Sequence, residues 1–189
     1  MFRALFLILL LSSYLQSEPL KATAIGDYVK MQYAGFIGLS AIGFGEQFAK
    51  RRYEIELFYG YAPREVATIE VHSVTLKNNY IPHRIKVEEY EFSPYIGLGV
   101  MFMPKQRYDT NSRDDVPSNY YHITGIHALL YTGIAIKHEY KNFHNHTRAI
   151  SAYIEIGTLD SYLFSYANNP NVLSLSEISS LGVGIAYHY

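Results

Sequence analysis

The 189-residue sequence contains neither cysteine nor tryptophan. Without cysteine the fold has no disulfide, so its stability must come from non-covalent interactions. The formal net charge is −1, which argues against nucleic acid as a partner, because binding to phosphates needs an excess of positive charge. No apolar run reaches the roughly 20 residues that a membrane-spanning helix requires.

Tyrosine is the residue in excess, with 19 copies beside 10 phenylalanines. A ring that ends in a polar hydroxyl suits the interface between a membrane and water. Tyrosine is also a good strand former in any β protein, so composition alone leaves both interpretations open.

The N-terminal residues have the pattern of a secretory signal peptide. Arg3 supplies a positive charge, residues 4–11 are apolar, and Ser17 is a small residue at a suitable cleavage position. Residues 1–17 are therefore expected to be a signal peptide, and cleavage as late as residue 24 is also compatible. An exported chain without a spanning helix is either a soluble secreted protein or a membrane barrel.

Residues 179–189 alternate with the two-residue period of a β-strand. One side carries Leu181, Val183, Ile185, Tyr187 and Tyr189, and the other carries Ser180, Gly182, Gly184, Ala186 and His188. The apolar side suits lipid, whereas the small and polar side suits the crowded lumen of a narrow barrel. A final aromatic residue is typical of the last strand of bacterial outer-membrane barrels. We therefore expect the barrel assembly machinery to recognise the strand that ends at Tyr189.

Seven further segments read as strands, at residues 21–29, 31–48, 53–61, 68–80, 92–103, 120–137 and 150–157. The second contains a change of parity that a bulge near Gly43 would explain. With the closing strand they predict an all-β fold, an eight-stranded antiparallel transmembrane β-barrel of the bacterial outer membrane. Residues 18–189 are expected to form this single domain.

An even number of strands places both chain ends on the periplasmic side of such a barrel. The connections expected on that side lie near Ala49, Pro82 and His144. Those expected on the outer side lie near Ala62, at 104–119 and near Asn168.

A soluble lipocalin-like or sandwich domain would show the same alternation, with its apolar rows turned inward. The composition of the second row separates the two cases. A solvated row normally carries Lys, Glu and Thr, whereas Gly, Ala, Ser and Tyr dominate here. This difference favours the membrane barrel.

Residues 72–76 and 93–100 resemble the middle strands of the outer-membrane lipid A deacylases, and the likeness in strand order extends over 31–189. Those proteins are eight-stranded barrels that cleave an ester-linked acyl chain from lipopolysaccharide. The resemblance implies a His-x-Ser pair on the seventh strand, with a downstream carboxylate. In the matching strand the two positions hold Glu155 and Gly157. Glycine has no nucleophile, so we assign no catalytic residue.

Three other polar groups are candidates for chemistry: His122 with Thr124 as base and hydroxyl, His144 and His146 with nearby His138 as metal ligands, and Asp114 with Asp115 as a divalent-cation site bridging lipopolysaccharide phosphates. Each lies in a predicted loop or rim, where solvated polar side chains are the ordinary case. We therefore predict neither a metal site nor a cofactor.

The predicted lumen carries a polar cluster formed by Glu54, Glu56, Lys77, Tyr153 and Glu155. Unpaired charges in a narrow interior are costly, so acidic and basic side chains are expected to meet there. In particular, we expect Glu155 to face Lys77 or another basic group across the lumen.

These observations favour a non-enzymatic envelope or surface-interaction protein in contact with outer-membrane lipid and lipopolysaccharide. The interior of eight strands is only wide enough for side chains, which argues against a pore. Two alternatives remain open. One is a lipid A-modifying esterase with a rearranged site, and the other is a soluble secreted lipocalin-like binding barrel.

Overall fold

The computed structural model describes residues 26–67, 70–104, 125–141, 147–170 and 172–189. Its strands are β1 (Tyr28–Ala34), β2 (Ser40–Phe48), β3 (Tyr53–Ala62), β4 (Val71–Tyr80), β5 (Ile85–Val87), β6 (Tyr90–Phe102), β7 (Ile126–Lys141), β8 (Thr147–Leu159) and β9 (Ser180–His188). Its helices are α1 (Arg64–Ala67) and α2 (Asp160–Asn168).

The strands form one closed antiparallel sheet. Its order is β4-β3-β2-β1-β9-β8-β7-β6-β5, and an additional pairing of β4 with β6 closes the ring. The short β5 pairs with residues 90–92 of β6, whereas β4 pairs with residues 96–102. Strands β4 and β5 therefore share one position around the barrel. The structure confirms the predicted eight-stranded antiparallel barrel.

The two ends of the barrel carry different elements. At the terminal end, β1 begins at Tyr28 and β9 finishes at His188, and these two residues are paired. The turns at 49–52 and 81–84 lie at this end, together with the start of β6. At the helix end, β8 runs directly into α2. Among the described residues, no helix is long and apolar enough to cross a membrane.

The alternating rows face the directions that the pattern of residues 179–189 predicts, with the apolar row outward and the small and polar row inward. Leu181, Val183 and Ile185 are exposed on the outside, while Gly182 and Ala186 are buried. The outward rows of the other strands are similarly apolar and include Met31, Ile42, Phe44, Leu57, Leu76, Ile96, Leu98, Ile134, Ile154 and Ile156. The apolar rows of these strands thus face outward.

The first hairpin differs from its prediction. Residues 31–48 are two strands and not one, and the first strand begins at Tyr28. The connection between them contains Gly35 and Gly38, both with positive φ, a conformation that glycine adopts at little cost. The predicted bulge near Gly43 is wrong, because the pairing of β1 with β2 continues through that residue without interruption.

The misleading parity arose from Ile37. This residue lies in the connection between β1 and β2, yet only 1% of it is exposed because it folds back into the core. Its apolar side chain therefore mimicked a strand position.

Other boundaries also moved. The predicted connection at 81–89 contains β5, and β7 continues to Lys141, well past the predicted end at residue 137. Helix α2 was not predicted. Near the helix end the interior is apolar, where Ile37, Met101, Met103, Leu129 and Leu159 pack together.

Candidate functional site

Four tyrosines of the inner rows lie directly opposite glycines on the neighbouring strand. The pairs are Tyr28–Gly45, Tyr95–Gly133, Tyr131–Gly97 and Tyr153–Gly184. A Cβ atom at any of these glycines would lie less than 3.0 Å from the facing ring. The missing side chains therefore make room for rings that lie against the wall, and these rings fill much of the lumen.

A buried ion pair crosses the lumen between β4 and β8, which lie three strand positions apart around the barrel. Lys77 Nζ on β4 donates to both carboxylate oxygens of Glu155 on β8, each at 2.7 Å. The Tyr95 hydroxyl donates to Glu155 Oε2 at 3.1 Å. Lys77 Nζ also lies 4.2 Å from the centroid of the Tyr131 ring. Since Lys77 is fully buried, this cation depends on its carboxylate and ring contacts.

A second buried ion pair joins β1 to β3. Lys30 Nζ donates to Glu56 Oε1 at 2.7 Å, and the Tyr28 hydroxyl donates to the same oxygen at 2.8 Å. Lys30 Nζ lies 3.9 Å from the centroid of the Tyr153 ring. The two pairs balance two cations against two carboxylates, which is what a narrow low-dielectric interior requires.

We define the two ion pairs and the tyrosines that contact them as the lumen network. Neutral hydrogen bonds extend it, although Glu56 Oε2 is buried without a hydrogen-bond partner among the described residues. The Tyr131 hydroxyl donates to Asn79 Oδ1 at 2.6 Å. The Tyr153 hydroxyl donates to Gln32 Oε1 at 3.1 Å, and Gln32 Nε2 donates in turn to the Ala34 carbonyl at 3.1 Å. These bonds link β7 to β4 and β8 to β1, and in each case a single strand position lies between the two strands.

Arg84 organises the terminal end. Its guanidinium donates to the Arg51 carbonyl at 2.6 Å, to Glu54 Oε1 at 3.2 Å and to Glu91 Oε1 at 2.9 Å. Arg51 donates to the same Glu91 oxygen at 2.6 Å. We call Arg51, Arg84, Glu54 and Glu91 the closing cluster, because they tie two turns and two strands together across this end.

A cavity of about 30 Å³ lies between the closing cluster and the lumen network. Its lining includes Tyr28, Lys30, Arg84, Lys137 and His188. A water molecule needs roughly 10–15 Å³ of such space, so this cavity has room for one or two waters.

The five residues of the predicted lumen cluster all point inward. Glu56, Lys77, Tyr153 and Glu155 are buried, and Glu54 lies at the terminal end in the closing cluster. The structure brings Lys77 together with Glu155 but pairs Glu56 with Lys30 instead.

Sequence reasoning missed Lys30 and Arg84. Lys30 fell between two predicted strands, although its alternation with Val29 and Met31 placed it on the inner row. Arg84 lies in a turn, where periodicity gives no signal.

A polar chain on the outer surface near the helix end was also missed. The Tyr59 hydroxyl on β3 lies 2.5 Å from His72 Nδ1 on β4. His72 Nε2 lies 3.2 Å from Glu70 Oε1. If Tyr59 donates to Nδ1, then Nε2 carries the ring proton and donates it to the carboxylate. Hydroxyl, imidazole and carboxylate are thus aligned on the exposed face of the barrel.

No protein-family model, curated protein or solved structure matches this chain.

The positions that the deacylase resemblance singles out lie inside the barrel. Glu155 is held by Lys77, and Gly157 lies beside Tyr131 on the inner wall. An acyl chain outside the barrel could not reach either position.

Of the other polar residues that the sequence suggested for catalysis or metal binding, only His138 lies among the described residues. His138 belongs to β7 and not to a turn, and its ring packs against Tyr90 with 5.1 Å between centroids. The other six, Asp114, Asp115, His122, Thr124, His144 and His146, lie outside the described residues. Within the described ranges, no group of three or more His, Asp and Glu side chains is placed to hold a metal ion.

Proposed function

We propose that the protein is an outer-membrane β-barrel with a filled lumen, which serves as a non-enzymatic envelope or surface-interaction protein. On this proposal, outer-membrane lipid and lipopolysaccharide surround it, and the barrel assembly machinery recognises β9 and the adjoining Tyr189. Residues 1–17 would direct the chain across the inner membrane as a signal peptide.

The outer surface of the barrel carries this proposal. Met31, Ile96, Leu98, Leu181 and Ile185 are each more than half exposed, and they belong to a continuous apolar band. Soluble monomers rarely leave so large an apolar area in water. Hydrocarbon would cover this band at no cost in hydrogen bonding, because the closed barrel pairs its backbone groups internally.

Tyrosines at the terminal end support the same location. The exposed tyrosines at this end lie between the aliphatic band and the edge of the barrel. They are Tyr53, Tyr80, Tyr90, Tyr187 and Tyr189. Rings with a polar tip are enriched where lipid headgroups meet water. The terminal end would therefore lie at one membrane interface and the helix end at the other.

The lumen network argues for a closed barrel and not for a pore. Two ion pairs and four tyrosines fill the centre, and the closing cluster blocks the terminal end. Any interaction with other molecules would then use the outer surface or the helix end.

Fractionation and vesicle assays together test this function. The full chain, expressed in a Gram-negative host, is expected in the membrane pellet and to need detergent for extraction. Purified protein in phospholipid vesicles is expected to give no sugar-driven swelling beyond that of empty vesicles, with a known porin as the positive control. Recovery in the soluble fraction would overturn the membrane location, and swelling would overturn the filled lumen.

One observation favours a second candidate function, ester hydrolysis at the outer surface. The chain Tyr59–His72–Glu70 has the order of a hydroxyl, a base and an orienting carboxylate. It lies near the helix end, where the headgroup region of the outer leaflet would be. His72 would accept the Tyr59 proton as the hydroxyl attacked an ester carbonyl, and would pass it to the leaving alcohol as the ester C–O bond broke. Water would then hydrolyse the acyl group from Tyr59 and release a carboxylic acid.

Mass spectrometry of lipid A separates the two functions. On the second candidate, cells with the protein lose an ester-linked acyl chain, and His72→Ala abolishes the loss. His138→Ala is the matched control, since His138 also lies on the outer surface but outside the polar chain. Unchanged lipid A in all cells would leave the non-enzymatic role and exclude the esterase.

A further inference from the structure

Helix α2 leaves much of its apolar surface exposed. All nine of its residues are at least partly exposed, and Phe164 is 71% exposed. The residues that follow repeat this feature, since Val172 is 79% exposed and Leu175 is 63% exposed. A helix of this length is not stable by itself in water, so it depends on contacts with its surroundings.

The composition of this segment indicates the nature of that contact. From residue 161 to residue 176 the sequence contains no charged side chain, while it contains Tyr162, Leu163, Phe164 and Val172. An uncharged surface of aromatic and aliphatic groups with hydroxyl and amide neighbours matches the boundary between acyl chains and headgroups. It does not match an acidic or basic protein partner.

Several contacts hold the segment against the barrel wall. The Tyr162 ring packs on Phe36 with 5.4 Å between centroids, and Asp160 lies 3.4 Å from His127 Nδ1. At the other end of the segment, the Thr158 hydroxyl donates to the carbonyl of the buried Ile178 at 2.7 Å. Ile156 on β8 and its partner Leu181 on β9 belong to the apolar band. The segment adjoins the band at the helix end of the barrel.

We propose that residues 160–170 and 172–175 form a lipid-docking surface that lies in the membrane interface at the helix end. The occupant is the lipid of the outer leaflet, which contacts Phe164, Val172 and Leu175. This inference rests on the proposed membrane function and adds a place and a role for α2. The helix would fix the depth of the barrel in the bilayer.

The absence of tryptophan provides a direct test, because each Phe164→Trp, Leu98→Trp or Glu65→Trp variant contains a single tryptophan. Each full-length variant is reconstituted in phosphatidylcholine vesicles with and without brominated acyl chains. Leu98 marks the apolar band, and the exposed Glu65 on α1 marks the aqueous side of the helix end. Val172→Trp repeats the test at a second position of the segment.

We expect brominated lipid to quench the fluorescence of Phe164→Trp, as it quenches that of Leu98→Trp, while iodide in the buffer quenches only Glu65→Trp. Failure of brominated lipid to quench Leu98→Trp would overturn the membrane function itself. If Leu98→Trp is quenched by brominated lipid but the two variants of the segment respond to iodide, the membrane function stands and the lipid-docking surface is wrong. Protection of both segment variants from iodide and bromine would indicate that the segment is covered by protein, either by the barrel itself or by a second copy of this chain, and would equally overturn the proposal.

Discussion

Tyr131 on β7 lies directly opposite Gly97 on β6, and its ring occupies the space where a side chain at position 97 would begin. The face of the same ring makes a cation–π contact with the Lys77 ammonium. The pairing of a ring with a glycine therefore fixes the position of the group that holds a buried cation. It also explains why the inner rows combine glycine with tyrosine.

Gly97→Ala is expected to destabilise the barrel by about 1–3 kcal/mol, the usual cost of overpacking a core. The matched control is Gly99→Ala on the same inner row, where the nearest atom to a new Cβ is the Leu76 carbonyl oxygen at 3.0 Å. Urea unfolding in detergent micelles, followed by tyrosine circular dichroism, measures both. In a Tyr131→Leu background the cost of Gly97→Ala should largely disappear. Equal costs in both backgrounds would contradict the steric argument.

Lys77→Met is expected to cost about 3–5 kcal/mol, because it leaves Glu155 buried without a cation. Adding Glu155→Gln removes the stranded charge and should recover much of the loss. Lys86→Met on the exposed β5 is the control and should change little. A double variant no more stable than Lys77→Met alone would show that the ion pair is not the source of the effect.

The fold could be predicted where one row of a strand is clearly apolar. The alternation in 53–61 and 179–189 reappears in β3 and β9 with little change. It failed at Ile37, because a turn residue that folds into the core cannot be distinguished from a strand residue by parity.

The lumen could be predicted only in part. Lys77 and Glu155 lie inside clear strands, so their shared side follows from the period. Lys30 was not predicted, because the predicted strands ended at residue 29 and began again at residue 31. Its pairing with Glu56 depends on the order of strands around the barrel. Arg84 lies in a turn, where the alternation of residues does not predict the direction of a side chain.

Leu98→Arg tests the apolar band. Arginine near the middle of a bilayer costs about 2–4 kcal/mol in transmembrane barrels, so the variant should be destabilised by this amount in phospholipid vesicles. Leu98→Ala controls for lost side-chain contacts and should cost less. In a soluble barrel the same arginine would replace an exposed leucine and leave stability nearly unchanged. A neutral result in vesicles would therefore count against the membrane location.

Arg84→Ala is expected to loosen the terminal end without unfolding the barrel. The side chain donates to the Arg51 carbonyl, Glu54 and Glu91, whereas Glu91 keeps Arg51 and the lumen network stays intact. Hydrogen exchange should accelerate in 49–54 and 81–91, because opening these segments no longer breaks charge-assisted hydrogen bonds. Exchange in β8 and β9 should not change, since their contacts lie on the other side of the lumen. Lys86→Ala is the control on β5. Uniform acceleration across all strands would mean that Arg84 supports global stability, and the closing cluster would then not be a local device.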